Sequence, residues 1–170
     1  MCALLSGELL VGGLLAGCAS GGSGGNGASG SGDAVAIDSP APDARDRAAC
    51  SRILDALPDT LADERRRPVM PRDAPGAAWG DPAMVLTCGV DRPAGFDEFA
   101  SCVEANGVAW FVPAEQVEDD SLDVTFSTAG YRPVVQLTVP AEYRPEGGAA
   151  ALAELAKPLR KRLTNVEPCR

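Results

Sequence analysis

The stretch that decides the fold is Leu122-Asp123-Val124-Thr125-Phe126-Ser127-Thr128, followed after Ala129-Gly130 by Val134-Val135-Gln136-Leu137-Thr138-Val139. Leu122, Val124 and Phe126 alternate with Asp123, Thr125 and Ser127. Val135, Leu137 and Val139 alternate with Gln136 and Thr138. A period of two with polar residues opposite is the pattern of an antiparallel sheet that buries one face and wets the other. Working outward, Val108 to Val112 places Val108, Trp110 and Val112 together, and Met84 to Val90 does the same with Met84, Leu86, Cys88 and Val90. Turn signals at Asp91-Arg92-Pro93, Asn106-Gly107 and Ala129-Gly130 before Pro133 separate the runs.

Helical spacing flanks these four strands on both sides. From a start near Asp43, a candidate N-cap, Cys50, Ile53, Leu54 and Leu57 fall at i, i+3, i+4 and i+7 until Pro58 stops the run. Leu61 extends the same apolar face within a charged, Pro-bounded segment, Asp59 to Pro75. A second helix runs from about Gly148 to Leu163 on Leu152, Leu155, Leu159 and Leu163, with Pro158 expected to kink or divide it. The expected fold is therefore α+β in two layers: an antiparallel sheet of about four strands with an N-terminal and a C-terminal helix on one face, in the order α-β-β-β-β-α. Residues 43–170 form this single domain. No internal repeat is present.

The first 42 residues read differently. Leu9 to Gly17 is a short apolar stretch ending in Leu15-Ala16-Gly17-Cys18. It is too short for a transmembrane helix, which needs about 20 apolar residues, and it suits the h-region of a signal peptide. Leu15-Ala16-Gly17-Cys18 resembles the lipobox of bacterial lipoproteins, in which the cysteine sulfur receives diacylglycerol and becomes the first residue of the mature chain. The resemblance implies a signal peptide over residues 1–17 and lipidation at Cys18. Met1 to Gly7 lacks the expected Lys or Arg and Glu8 stands where positive charge is wanted, so the expected basic n-region lies upstream of Met1. Ala19 to Gly32 is Gly, Ser, Ala and one Asn, which has nothing to bury and stays disordered, a coil spanning roughly 20 Å. Asp33 to Pro42 continues it as an extended lead-in, so residues 18–42 are read as a lipid-anchored tether.

Composition excludes more chemistry than it suggests. The 170 residues contain no histidine, which removes the commonest general base near neutral pH, Ser-His-Asp and Cys-His catalysis, and imidazole zinc sites. With 15 basic and 24 acidic residues the net charge is −9, which gives no footprint for nucleic acid. No P-loop, GxGxxG or GxSxG is present, and no cofactor is expected.

Besides Cys2 and Cys18 there are four cysteines, Cys50, Cys88, Cys102 and Cys169, an even number that reads as a disulfide framework in an exported chain. Three pairings are possible. Cys50–Cys169, stapling the first helix to the chain's end, and Cys88–Cys102, closing the loop after the first strand, are preferred. A four-thiolate metal site would want the CxxC spacing that is missing here.

Four surface segments compete for a role. Trp79 and Asp81, within Ala78-Trp79-Gly80-Asp81-Pro82, would make a ligand platform; otherwise the Trp caps the core and the Asp bonds nearby backbone. Arg65-Arg66-Arg67 would meet anionic headgroups or a wall polymer, and otherwise is a solvated face. Glu118-Asp119-Asp120 lacks the spacing of a calcium loop and reads as a hairpin turn. Lys157, Arg160, Lys161 and Arg162 complement a helix C-terminus and need no further role.

Several of these elements together resemble a group of actinobacterial lipoproteins and secreted proteins of unknown function, domain-of-unknown-function family 3515. They are the cysteine-bearing helix ending at Leu57-Pro58, the Arg-Arg pair, Ala78-Trp79-Gly80-Asp81-Pro82, and Leu86-Thr87-Cys88-Gly89-Val90 before Pro93. Further on come Gly107-Val108-Ala109-Trp110, Tyr131-Arg132-Pro133 and Thr138-Val139-Pro140. The resemblance spans Cys50 to Cys169 and implies a cell-envelope protein of a Gram-positive actinobacterium, without an activity or catalytic residues. The expectation is an exported, non-enzymatic binding or scaffold module, held at the extracytoplasmic face of the cell membrane by the lipid on Cys18, with an envelope protein or wall polymer as partner. The alternatives are a carboxylate-dependent enzyme on an envelope substrate, with Asp81 the first residue to test, and a small-ligand carrier.

Overall fold

The computed structural model describes residues 33–167, apart from 98, 101 and 145, together with Cys169. Cys18 and the leader lie outside the described residues. No described helix is long and apolar enough to cross a membrane.

The four alternating segments all form strands: β6 (Met84–Cys88), β8 (Val108–Phe111), β9 (Val124–Ser127) and β11 (Val135–Val139). The sheet they join has eight strands rather than about four. The additional four are β2 (Thr60–Leu61), β3 (Glu64–Arg67), β5 (Gly76–Trp79) and β7 (Cys102–Ala105). None of them alternates clearly. β5 is three small residues and Trp79, buried on both faces, and a Cβ at Gly76 would run into Leu86 O and Ile37. β3 consists of Glu and three Arg, and β7 is four residues, Cys102-Val103-Glu104-Ala105, none of them buried.

The spatial order is β2-β3-β5-β6-β11-β9-β8-β7, antiparallel throughout. The first four strands form one meander. The chain then crosses to the far edge and returns through β7, β8, β9 and β11 to close beside β6. Outside the sheet, β1 (Val35–Ala36) pairs in parallel with β4 (Val69–Met70), and β10 (Tyr131–Arg132) pairs with β12 (Thr164–Asn165). The lead-in expected to belong to the tether is thus part of the fold, with Ile37 buried.

Helix α1 (Arg47–Leu54) starts one turn later than expected. Asp43 precedes it, accepting the Asp46 N–H on Oδ1 and the Arg47 N–H on its carbonyl. A short α2 (Ala114–Glu118) lies between β8 and β9, and α3 (Glu146–Arg160) runs unbroken through Pro158, which sits in its last turn. Leu61 joins the core as expected, but from β2 rather than from an extended helix face.

One core holds the layers together. Cys50 and Ile53 of α1 and Leu152, Leu155 and Leu159 of α3 pack on Trp79, Met84, Leu86, Val108, Trp110, Val135, Leu137 and Val139 of the sheet. A smaller cluster of Phe96, Phe111 and Ala129 lies apart from it, against Cys102 and Cys169.

The four expected cysteines do form two disulfides, but paired as Cys50–Cys88 and Cys102–Cys169. Topology explains the correction. β6 and β7 have three strands between them, roughly 19 Å at the spacing of a sheet. Cys88 also points into the main core beside Leu86, whereas Cys102 lies opposite Phe111 over the smaller cluster. Two cysteines 14 positions apart in sequence therefore cannot meet, while Cys88 lies directly under α1.

Candidate functional site

Trp79 and Asp81 do not form a shared platform. Trp79 is fully buried, and its indole N–H donates to Pro58 O at 3.0 Å. Asp81 is 87% exposed at its side chain and pairs with Arg67 at 3.2 Å. Its backbone N–H donates to the Tyr143 hydroxyl, a phenol pushed above its ordinary pKa by burial and then by the Glu64 charge. The arginine run is a strand, not a loop. Arg66 lies over the Trp79 ring, and Arg67 donates to Gly80 O and Asp33 O.

Glu118-Asp119-Asp120 is the connection from α2 to β9 rather than a hairpin turn. Asp119 accepts the hydroxyl and N–H of Ser121, which, with Arg144, hold its carboxyl below the ordinary aspartate pKa. Arg144 pairs with Asp120 and donates to the carbonyls of Gln116, Asp119 and Leu122. No group of three or more His, Cys, Asp and Glu suited to a metal occurs among the described residues.

Asp43 and Asp46 share a cleft of about 380 Å³ with Asp91, Arg92, Tyr131 and Arg132. Arg132 donates to both Asp43 and Asp46, at 2.9 and 2.6 Å. The Asp46 N–H, and beyond it the Arg132 charge, hold Asp43 below its ordinary pKa; Arg132 is raised in turn, chiefly by Asp46. This arrangement straps the turn that enters α1 to β10. It holds Asp43 in its ionised form, away from proton transfer near neutral pH.

The surface that offers a contact instead of a closed pair lies at the β7 edge. Among the described residues β7 pairs with β8 only, which leaves one side of its backbone without a strand. Beside it a groove of about 730 Å³ runs between the 94–100 loop and α2. Phe99, Val117 and Val103 border it at 84%, 58% and 49% exposure, with Phe111 beneath. Among the described residues, Asp97, Glu115 and Glu118 supply its charge, and no lysine or arginine lines it. The apolar groups are held outward by local structure. Asp97 Oδ1 accepts the Phe99 N–H, setting the loop, and Cys102–Cys169 pins the start of β7. Arg144 grips α2 from below, and Gln116 Oε1 accepts the Thr125 N–H.

A family described as "Protein of unknown function (DUF3515)" matches residues 9–168. The chain belongs to the DUF3515 family. No curated protein and no solved structure matched the chain significantly. The sequence elements that suggested the DUF3515 resemblance serve mainly the fold. Trp79, Leu86, Cys88 and Trp110 are core, and Gly80, Gly89 and Gly107 carry positive φ at turns. The groove of this DUF3515 chain was not read from its sequence. Phe99 and Val117 sit in no periodic run, and the available signal was the Asn106-Gly107 turn, which requires a partner strand before β8.

Proposed function

We propose that this DUF3515 protein is an exported, non-enzymatic binding module of the cell envelope, tethered through a lipid on Cys18 and docking a partner protein in the groove beside β7. The observation carrying this reading is the cluster of exposed apolar side chains, Phe99, Val103 and Val117, around a concavity next to an open sheet edge. Apolar groups gathered in this way, with a polar rim, mark interaction surfaces more often than bare solvent contact. The acidic rim of Asp97, Glu115 and Glu118 favours a partner segment that is apolar at its centre and basic at its flanks. The lipobox-like Leu15-Ala16-Gly17-Cys18 and the Gly/Ser-rich residues after it support the tether, and the lineage implied is actinobacterial.

A photo-crosslinking residue placed at Phe99 or Val117 in the full chain tests the docking in cells. One defined adduct is expected at these positions and none at Arg52 on α1. Phe99→Asp should abolish the Val117 adduct while leaving the thermal melt unchanged. Adducts equally abundant at Arg52, or a Val117 adduct indifferent to Phe99→Asp, would refute it. Mass spectrometry of the membrane fraction tests the tether, where an unmodified chain retaining Met1 would remove it.

A further inference from the structure

Helix α3 touches both ends of the eight-stranded sheet, β2 and β7. The β2–β3 turn docks through the Ala62 N–H, which donates to Glu154 Oε2 at 3.3 Å. The β7–β8 turn docks through Asn106, whose Nδ2 donates to Ala153 O and whose carbonyl accepts from Arg160, both at 3.2 Å. The sheet must therefore curl until its two edge hairpins clasp one helix. Between them a cleft of about 770 Å³ remains, floored by the C-terminal half of α3.

The charge in this cleft runs against that of the molecule. The chain carries −9 overall, yet Lys157, Arg160, Lys161 and Arg162 place four cations within six residues, including both lysines of the chain. Lys157 and Lys161 are one helical turn apart, exposed, and both line the cleft with Arg162. Among the described residues no carboxylate lies within 4.0 Å of any of the four cations. The one carboxylate lining the cleft, Glu154, gives an oxygen to the β2–β3 turn. Attraction to the helix C-terminus accounts for cations there, but not for a concavity with two like charges side by side and no counter-ion.

We propose that this cleft binds a phosphate mono- or diester group, with the Lys157 and Lys161 ammoniums as its principal partners and Arg162 at the rim. The ammonium is a compact point charge suited to a phosphate oxygen, and Arg162 is oriented by donating to Pro158 O. The site is independent of the β7 groove and of the tether.

The test uses the full chain with Cys18→Ala, so that no lipid contributes. Its arms are co-sedimentation with vesicles of phosphatidylglycerol in phosphatidylcholine, and amide shifts of Asn106 and Ala153–Arg162 on titration with inorganic phosphate. Lys157→Gln/Lys161→Gln should weaken vesicle binding roughly 25-fold, fivefold for each lysine, and remove the phosphate-induced shifts. Arg45→Gln/Arg52→Gln, which neutralises two cations elsewhere, should change neither. Vesicle binding without phosphate shifts assigns the group to a lipid headgroup, and phosphate shifts without vesicle binding assign it to a soluble ligand. The proposal is overturned if neither probe binds, if the lysine double variant binds as the parent does, or if the arginine control loses as much.

Discussion

Removing each disulfide separately should expose two bonds of similar thermodynamic weight and very different accessibility. The loops they close span 38 and 67 positions and follow one another along the chain without nesting. In the chain-entropy account each then contributes about 4 kcal/mol, the longer loop only about 0.5 kcal/mol more. A domain of this size loses roughly 3–4 °C of melting temperature per kcal/mol, so Cys50→Ala/Cys88→Ala and Cys102→Ala/Cys169→Ala should each lower Tm by ~10–15 °C. Burial separates the two. Cys50 and Cys88 are 2% and 0% exposed within the main core, whereas Cys102 and Cys169 border the small Phe96–Phe111 cluster and are partly open to solvent. Thiol attack needs access to sulfur, so mild reductant should open Cys102–Cys169 in the folded protein and leave Cys50–Cys88 until global unfolding. Differential alkylation at rising reductant, read by non-reducing peptide mapping, measures both order and connectivity. A peptide joining Cys50 to Cys169 or Cys88 to Cys102 would refute the topology. Equal reduction of the two bonds would refute the reasoning from burial.

Two further perturbations test the fold where it positions the surfaces. Gly107→Ala, at φ +83° in the two-residue turn between β7 and β8, meets Arg160 only at ordinary contact distance. Its cost is therefore backbone strain of about 1–2 kcal/mol, read as a lower urea midpoint, and an unchanged midpoint would contradict the turn geometry. Arg132→Gln frees Asp43 and Asp46 from their shared cation. Asp43 is held below its ordinary value of 3.8 in the folded chain, so its contribution is present above about pH 4 and fades as pH falls below it. The gap in urea midpoint between parent and Arg132→Gln should accordingly be full at pH 7 and narrow towards pH 3. A gap that widens on acidification would show that the pairing does not stabilise the ionised carboxylates.

What the sequence disclosed, and what it did not, follows from which side chains face two environments. β6 and β11 bury one face, and β8 and β9 do so until Phe111 and Ser127 at their ends, so alternation marks them. β5 is buried on both faces, so its Gly76-Ala77-Ala78 run shows no polar alternation, and Gly76 is pressed against Leu86 O and Ile37. β3 hides for the opposite reason: Arg65 to Arg67 read as solvent-facing charge, although Arg66 covers Trp79 and Arg67 is spent on Gly80, Asp33 and Asp81. Disulfide pairing was unreadable because it depends on the sheet's order, and a chain that jumps from β6 to the far edge separates cysteines that are near in sequence. The Trp79–Asp81 segment attracted attention by composition, yet the aromatic that a ligand would want is the one the core takes first. The groove beside β7 carries the converse lesson. Phe99 and Val117 lie outside every periodic run, and unlike Phe96 and Ile37, which are also outside one, neither is taken into a core. Phe99 is set outward by the Asp97 turn and Val117 by the helix that Arg144 grips, so both are exposed by construction and not by default. Phe99 and Val117 are therefore free to meet a partner, and the residues that make the pattern are occupied in holding that surface in place.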